Sequence, residues 1–166
     1  VAAARELFAA GYATPRAMRA ATWQDRVDAL GRGHYRRYDE RTATMLGDGA
    51  ALAIDRWKGD LRRLRDEAEG DARRIVALLT EFPGIGPTGA DIFLREVQAV
   101  WPQVAPHLDE RVLDGAGRLG LPRQTRRLAE LAHSGDELAR LSAALVRVSR
   151  SKKSADAVKS AAAHRS

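Results

Sequence analysis

Apolar and polar positions along the 166 residues recur with the three-to-four-residue spacing of amphipathic helices. Val1 to Ala10 (VAAARELFAA) has helix-interior composition, and Gly11 follows it as a C-terminal cap would. Thr14-Pro15 opens a second short helix, because proline's missing N–H is not needed in a first turn. Thr22 stands where it can cap a third, from Trp23 through Val27 and Leu30 to Gly31. Gly31 to Tyr35 reads as a turn. A helix from about Arg36 to Leu46 is expected to break at Gly47-Asp48-Gly49. Ala50 to Glu69, interrupted at Gly59-Asp60, makes one or two more.

Asp71 precedes an apolar stripe of Ile75, Leu78 and Leu79 that stops at Phe82-Pro83. Thr88 precedes Asp91 by three residues, a capping-box-like start with an acid suited to a helix N-terminus. Ile92, Phe93, Val97 and Val100 form the apolar side of that helix. Pro102 and Pro106 forbid regular helix across 101–106. Leu108 to Leu119 resumes the pattern, Pro122 opens a further helix, and Asp136 with Leu138, Leu141, Leu145 and Val148 marks the last strong one. Residues 149–166 (SRSKKSADAVKSAAAHRS) are basic and poor in large apolar side chains, so they read as frayed helix or tail. No run alternates with the two-residue period of a strand. The fold class is all-α, with a helical domain over 1–148 and a basic tail over 149–166.

Composition narrows the chemistry. The chain has no cysteine, which excludes a disulfide scaffold, a thiolate-held iron–sulfur cluster, a cysteine zinc site and a cysteine nucleophile. Its four histidines lack ligand spacing, so no metal site is expected. No apolar run reaches the roughly 18 residues of a membrane span, and no signal-peptide pattern opens the chain. The expected compartment is the cytosol. Net charge is +6, and 24 of the 28 basic residues are arginine, whose fork bonds two phosphate oxygens at once. The charge is uneven: residues 1–30 carry +1, 31–65 carry +4, 66–121 carry −5 and 122–166 carry +6.

The stretch Leu78 to Ala90 (LLTEFPGIGPTGA) carries the most specific signal. An apolar helix ends, a Pro-Gly-Ile-Gly turn follows, and a second helix starts within a few residues. Two glycines flanking an aliphatic residue leave backbone amides unshielded. Such amides, together with a helix N-terminus, can hold a phosphate oxygen. Ile85 between them is expected to turn inward and lock the two helices together. An ordinary helix–helix connection would use the same glycines only to turn.

The full string resembles the helix-hairpin-helix motif (here 75–97) of DNA repair and replication proteins. Downstream stand Pro106-His107-Leu108-Asp109-Glu110-Arg111-Val112 and then Arg118-Leu119-Gly120-Leu121. A hairpin followed about twenty residues on by a loop ending in aspartate is similar to the HhH-GPD superfamily of base-excision DNA glycosylases. The likeness covers roughly residues 1–130. It implies that Gly84, Ile85, Gly86, Thr88 and Gly89 hold a DNA phosphate, with room for a monovalent cation at the hairpin. It also implies that Asp109 lies beside the sugar of a flipped nucleotide, where a carboxylate stabilises developing positive charge and can activate water. Asp109 equally suits an N-cap for the helix starting near Glu110. The resemblance places His34 and Tyr35 near DNA or the base pocket and lets His107 help define that pocket, while Asp91 reads as a helix-dipole partner.

Departures from the family shape the expectation further. Bifunctional members carry a lysine two residues after the second hairpin glycine, where this chain has Thr88. Lysine-dependent strand cleavage is therefore not expected, and the resemblance implies a monofunctional hydrolase of damaged or mispaired bases without an iron–sulfur cluster. The implied partner is double-stranded DNA, and the implied place is the cytoplasmic nucleoid. One or two family helices that precede the helix Val1 to Ala10 resembles have no counterpart here, so the chain is expected to be an N-terminally truncated fragment, a sequence with a misassigned start or a reduced relative, with poor solubility or dimerisation if residues are missing. The alternatives are a non-catalytic helix-hairpin-helix DNA-binding protein and a helical interaction domain with a coincidental Gly-Ile-Gly.

Overall fold

The computed structural model describes residues 2–163 as eleven α-helices and one short 3-10 turn, with no strand among the described residues. The all-α class follows. The chain forms two compact units, one through Pro87 and the other from Thr88.

The first unit contains α1 (Ala2–Ala9), α2 (Pro15–Ala20), α3 (Trp23–Arg32), α4 (Asp39–Trp57), α5 (Leu61–Glu67) and α6 (Ala72–Leu79). Its helix starts obey local chemistry. The Thr14 hydroxyl accepts from the Ala17 N–H at 3.2 Å, with Pro15 at the first helical position. Thr22 and Asp25 exchange both bonds of a capping box. Gly11 closes α1 at φ +87°, and a methyl group there would meet nothing within 4 Å. Leu7, Ala29, Leu30 and Ala43 form a buried cluster, covered by Tyr12, Met18 and Leu46.

The break expected at 47–49 is not there. α4 runs unbroken from Asp39 to Trp57, and Gly47 serves close packing instead. A Cβ on Gly47 would lie 2.7 Å from Nη2 of Arg26. Arg26 is buried. Its Nε donates to the Ala43 carbonyl at 2.8 Å, and its Nη1 donates to those of Met18 (3.0 Å) and Ala21 (2.7 Å). A buried guanidinium must find acceptors for its donors, and these three tie the end of α2 to the first turns of α4.

The segment leading out of α6 is also anchored on α4. Trp57 is buried, stacks on Phe82 with centroids 5.4 Å apart, and donates from Nε1 to Glu67 at 2.7 Å. The Arg56 guanidinium lies over the Trp57 ring and pairs with both Glu67 and Glu81. The Trp57 and Arg56 hydrogen bonds hold the Glu67 carboxyl below its ordinary range.

Asp60 caps α5 by accepting from the Arg62 N–H at 2.9 Å, and its two oxygens also take the Arg62 guanidinium at 2.7–3.0 Å. The side-chain bonds from Arg62 come first, the backbone bond second, in lowering its carboxyl to about 2. A carboxyl depressed on folding contributes stability above its unfolded pKa and loses it as pH falls through the folded one. The stability difference between wild type and Asp60→Asn, read from circular-dichroism melts, should therefore narrow as pH drops from about 4 toward about 2. A gap that stays constant over that range would contradict the cap.

The second unit contains α7 (Pro87–Val97), the 3-10 turn Pro102–Val104, α8 (Glu110–Arg118), α9 (Thr125–Ala129), α10 (Gly135–Arg150) and α11 (Lys152–Ala163). Pro122 stands before α9, which begins at Thr125 after Gln124. Val112, Ala116, Leu128 and Leu145 form the buried cluster of this unit. α8 and α10 approach so closely that a Cβ on Gly115 would lie 2.0 Å from the Leu145 carbonyl oxygen. Within the segment read as frayed helix or tail, Lys152–Ala163 is helical and buries Ala155. Residues 164–166 of that segment lie outside the described residues.

Candidate phosphate turn and carboxylate site

The Pro-Gly-Ile-Gly turn is held from beneath. Ile85 N–H donates to the Phe82 carbonyl at 3.0 Å, and Phe82 is fixed on Trp57. Gly84 adopts φ +82°, and a Cβ there would lie 2.4 Å from Sδ of Met45 on α4. Both requirements need glycine: the left-handed backbone penalises a side chain, and the methionine leaves it no room. Gly84 and Gly86 are exposed, and Gly86 has open space where a side chain would stand. Among the described residues, no hydrogen bond engages the Gly86 N–H.

α7 then begins at Pro87, so Thr88 is not its N-cap. Proline fits the first position and shifts the start ahead of the threonine. Thr88 is exposed and Gly89 half-buried in the first turn of α7, where backbone N–H groups have no intrahelical acceptor.

Ile85 is half-buried. With Gly84, Phe82, Met45 and Tyr35 it lines a cavity of about 540 Å3 in the first unit. The structure therefore brings Tyr35 together with the turn. Its hydroxyl accepts from Thr42 Oγ1 at 3.4 Å, and 40% of the residue is exposed. His34 is exposed at φ +59° and does not line that cavity.

Asp109 and His107 lie in the second unit, against one face of α7. Asp109 is the N-cap of α8: its Oδ1 accepts from the Val112 N–H at 3.0 Å. Its Oδ2 accepts from Arg95 Nη1 at 2.8 Å, with the two side chains only 11% and 8% exposed. His107 is pinned through its backbone. Its N–H donates to Gln98 Oε1 at 3.0 Å, and its carbonyl accepts from Gln98 Nε2 at 3.2 Å. Gln98 is itself 1% exposed. The His107 ring places Nε2 3.2 Å from Asp91 Oδ1.

Sequence reading missed Arg95 and Gln98 and took Asp91 for a dipole partner. Their spacing held a signal: 91, 95 and 98 fall at i, i+4 and i+7, one stripe of a helix. Polar residues on that stripe need a polar partner when the face is covered, and the loop ending in Asp109 supplies it. The arrangement can hold an ionised carboxylate rigidly beside an arginine and present an imidazole backed by a second carboxylate. Among the described residues, no group of three or more histidine, aspartate or glutamate side chains is placed to hold a metal ion. No helix among them is long and apolar enough to cross a membrane.

No protein-family model matches the chain, and searches of curated proteins and of solved structures returned no match.

Proposed function

We propose that this protein binds duplex DNA through the Gly84–Gly86 turn and hydrolyses the N-glycosidic bond of a damaged or mispaired base in the manner of a monofunctional HhH-GPD glycosylase. The turn carries the reading. Its two glycines are exposed and one has open space beside it, while Met45, Ile85 and Phe82 hold it rigidly. Rigid, unshielded amides suit a phosphate oxygen, a contact that positions DNA without reading its sequence. Asp109 would stabilise the cationic sugar as the base departs. This chemistry calls on no cofactor, and its place would be the nucleoid of the cytoplasm.

One observation favours a second reading. Arg95 already balances the charge of Asp109 at 2.8 Å, and a neutralised carboxylate stabilises a cation less. A non-catalytic helix-hairpin-helix DNA-binding protein would keep the turn and dispense with turnover.

The test uses end-labelled duplexes carrying uracil, an alkylated purine, an oxidised purine or a mismatched adenine, incubated with protein and then treated with alkali. Base release lowered about 10²–10³-fold by Asp109→Asn supports the hydrolase. Duplex binding without base release from any substrate supports the binding module. Gly86→Leu points into open space, so it should leave Tm unchanged and weaken duplex binding at least tenfold. Binding unaffected by that substitution, or absent at low salt, overturns both readings.

A further inference from the structure

Asp109 has little capacity left for proton transfer. One oxygen accepts the Val112 N–H and the other the Arg95 guanidinium, with 11% of the side chain exposed. A carboxylate so engaged can act as a fixed charge. Taking a proton from water would require it to give up an ion pair in a nearly closed site. A hydrolase built here needs its base elsewhere.

Two residues upstream stands a better-suited group. His107 Nε2 lies 3.2 Å from Oδ1 of Asp91, whose side chain is 44% exposed. An ionised carboxylate accepts only, so it selects the tautomer with the proton on Nε2 and leaves the lone pair on Nδ1. Among the described residues, no hydrogen bond engages Nδ1. The backbone on both sides of the ring is clamped by Gln98, which spares the imidazole the entropy of finding its place. On α7 Asp91 contacts the ring, and Arg95 is committed to Asp109 at the end of the same loop. A carboxylate, an oriented imidazole and a free nitrogen make a general-base dyad.

We infer that His107, oriented by Asp91, is the general base of the hydrolysis, with Asp109 supplying electrostatic stabilisation alone; this rests on the glycosylase reading above. In the step, His107 Nδ1 takes a proton from water as its oxygen bonds to C1′ of the sugar. The C1′–N bond breaks, its electron pair leaves with the base, and solvent protonates the departing nitrogen. Asp91 stabilises the imidazolium formed. His107 then returns its proton to solvent.

The tautomer is read first, from the imidazole ¹⁵N shifts of His107 in the full chain. A proton on Nε2 with bare Nδ1, lost or mixed in Asp91→Asn, is expected, and a proton on Nδ1 in the wild type overturns the dyad. The second arm follows base release against pH with the wild-type chain and with His107→Gln, His107→Ala and Asp91→Asn, each verified by its melt. His107→Gln should lower kcat about 10²–10⁴-fold with duplex binding intact and abolish the loss of activity on the acid side. Imidazole added to His107→Ala should restore base release. A profile merely scaled down, without rescue, marks His107 as structural and overturns the proposal while leaving the glycosylase standing. Duplex binding without base release by the wild type overturns the glycosylase reading and, with it, a base for that reaction.

Discussion

Replacing Asp109 by alanine should destabilise the second unit by about 4–6 kcal/mol, before any question of activity arises. The reason is the company the carboxylate keeps. Arg95 is 8% exposed on its side chain and has Asp109 as its close ionic partner at 2.8 Å; Glu96 stands off at 3.5 Å from Nε, which is buried without a hydrogen bond. Removing one member of a buried pair strands the other charge, at a cost of roughly 3–5 kcal/mol. Loss of the α8 cap, made to the Val112 N–H, adds about 1 kcal/mol. Urea unfolding of the wild type, Asp109→Ala, Arg95→Met and the double variant measures both terms. The double variant should recover much of the loss, because no orphaned charge remains. A single-variant cost below about 1 kcal/mol would mean that the pair is solvated rather than buried. This bears on function: Asp109→Ala confounds lost chemistry with lost structure, whereas Asp109→Asn keeps an oxygen for the cap.

Gly115→Ala should be the most damaging single-carbon addition to the chain. The new Cβ would fall 2.0 Å from the Leu145 carbonyl oxygen and 2.6 Å from its carbon. Both are backbone atoms in the middle of α10, so no side-chain rotation relieves them. Typical overpacking costs about 1–3 kcal/mol when neighbours can give, and here α8 and α10 must separate across their shared cluster of Val112, Ala116 and Leu145. A loss of about 3 kcal/mol or more is expected, a fall in Tm of roughly 6–12 °C for a chain of this length. Gly120→Ala serves as a comparison: it carries the strain of φ +76° but meets nothing within 4 Å. If the two variants melt together, close helix approach is not what requires glycine at 115.

Features closed within a few residues were legible from sequence. Thr14-Pro15, Thr22 and Gly11 each act on their own backbone, and each stands where local chemistry put it. The Gly-Ile-Gly turn and the aspartate ahead of α8 belong to the same class: a left-handed glycine and an N-cap can be read from spacing. Gly47 and Gly49 were misread because the same residue type that ends helices also admits neighbours. At Gly47 it is the position of Arg26, some twenty residues earlier in the chain, that separates the two uses. Thr88 was misread for a smaller reason: the proline ahead of it takes the first helical position.

The amino-acid sequence by itself determined the all-α class, most helix starts, the exposed turn and the cap at Asp109, because those depend on periodicity and on hydrogen bonds a few residues long. Tertiary structure alone decided what the polar residues are for. It turned the loop ending in Asp109 back onto α7, so that Arg95 neutralises one carboxylate, Asp91 orients His107 and Gln98 clamps the backbone between them. Buried polar groups must be satisfied wherever the fold places them, and partners nine to sixteen residues apart are chosen by the path of the chain.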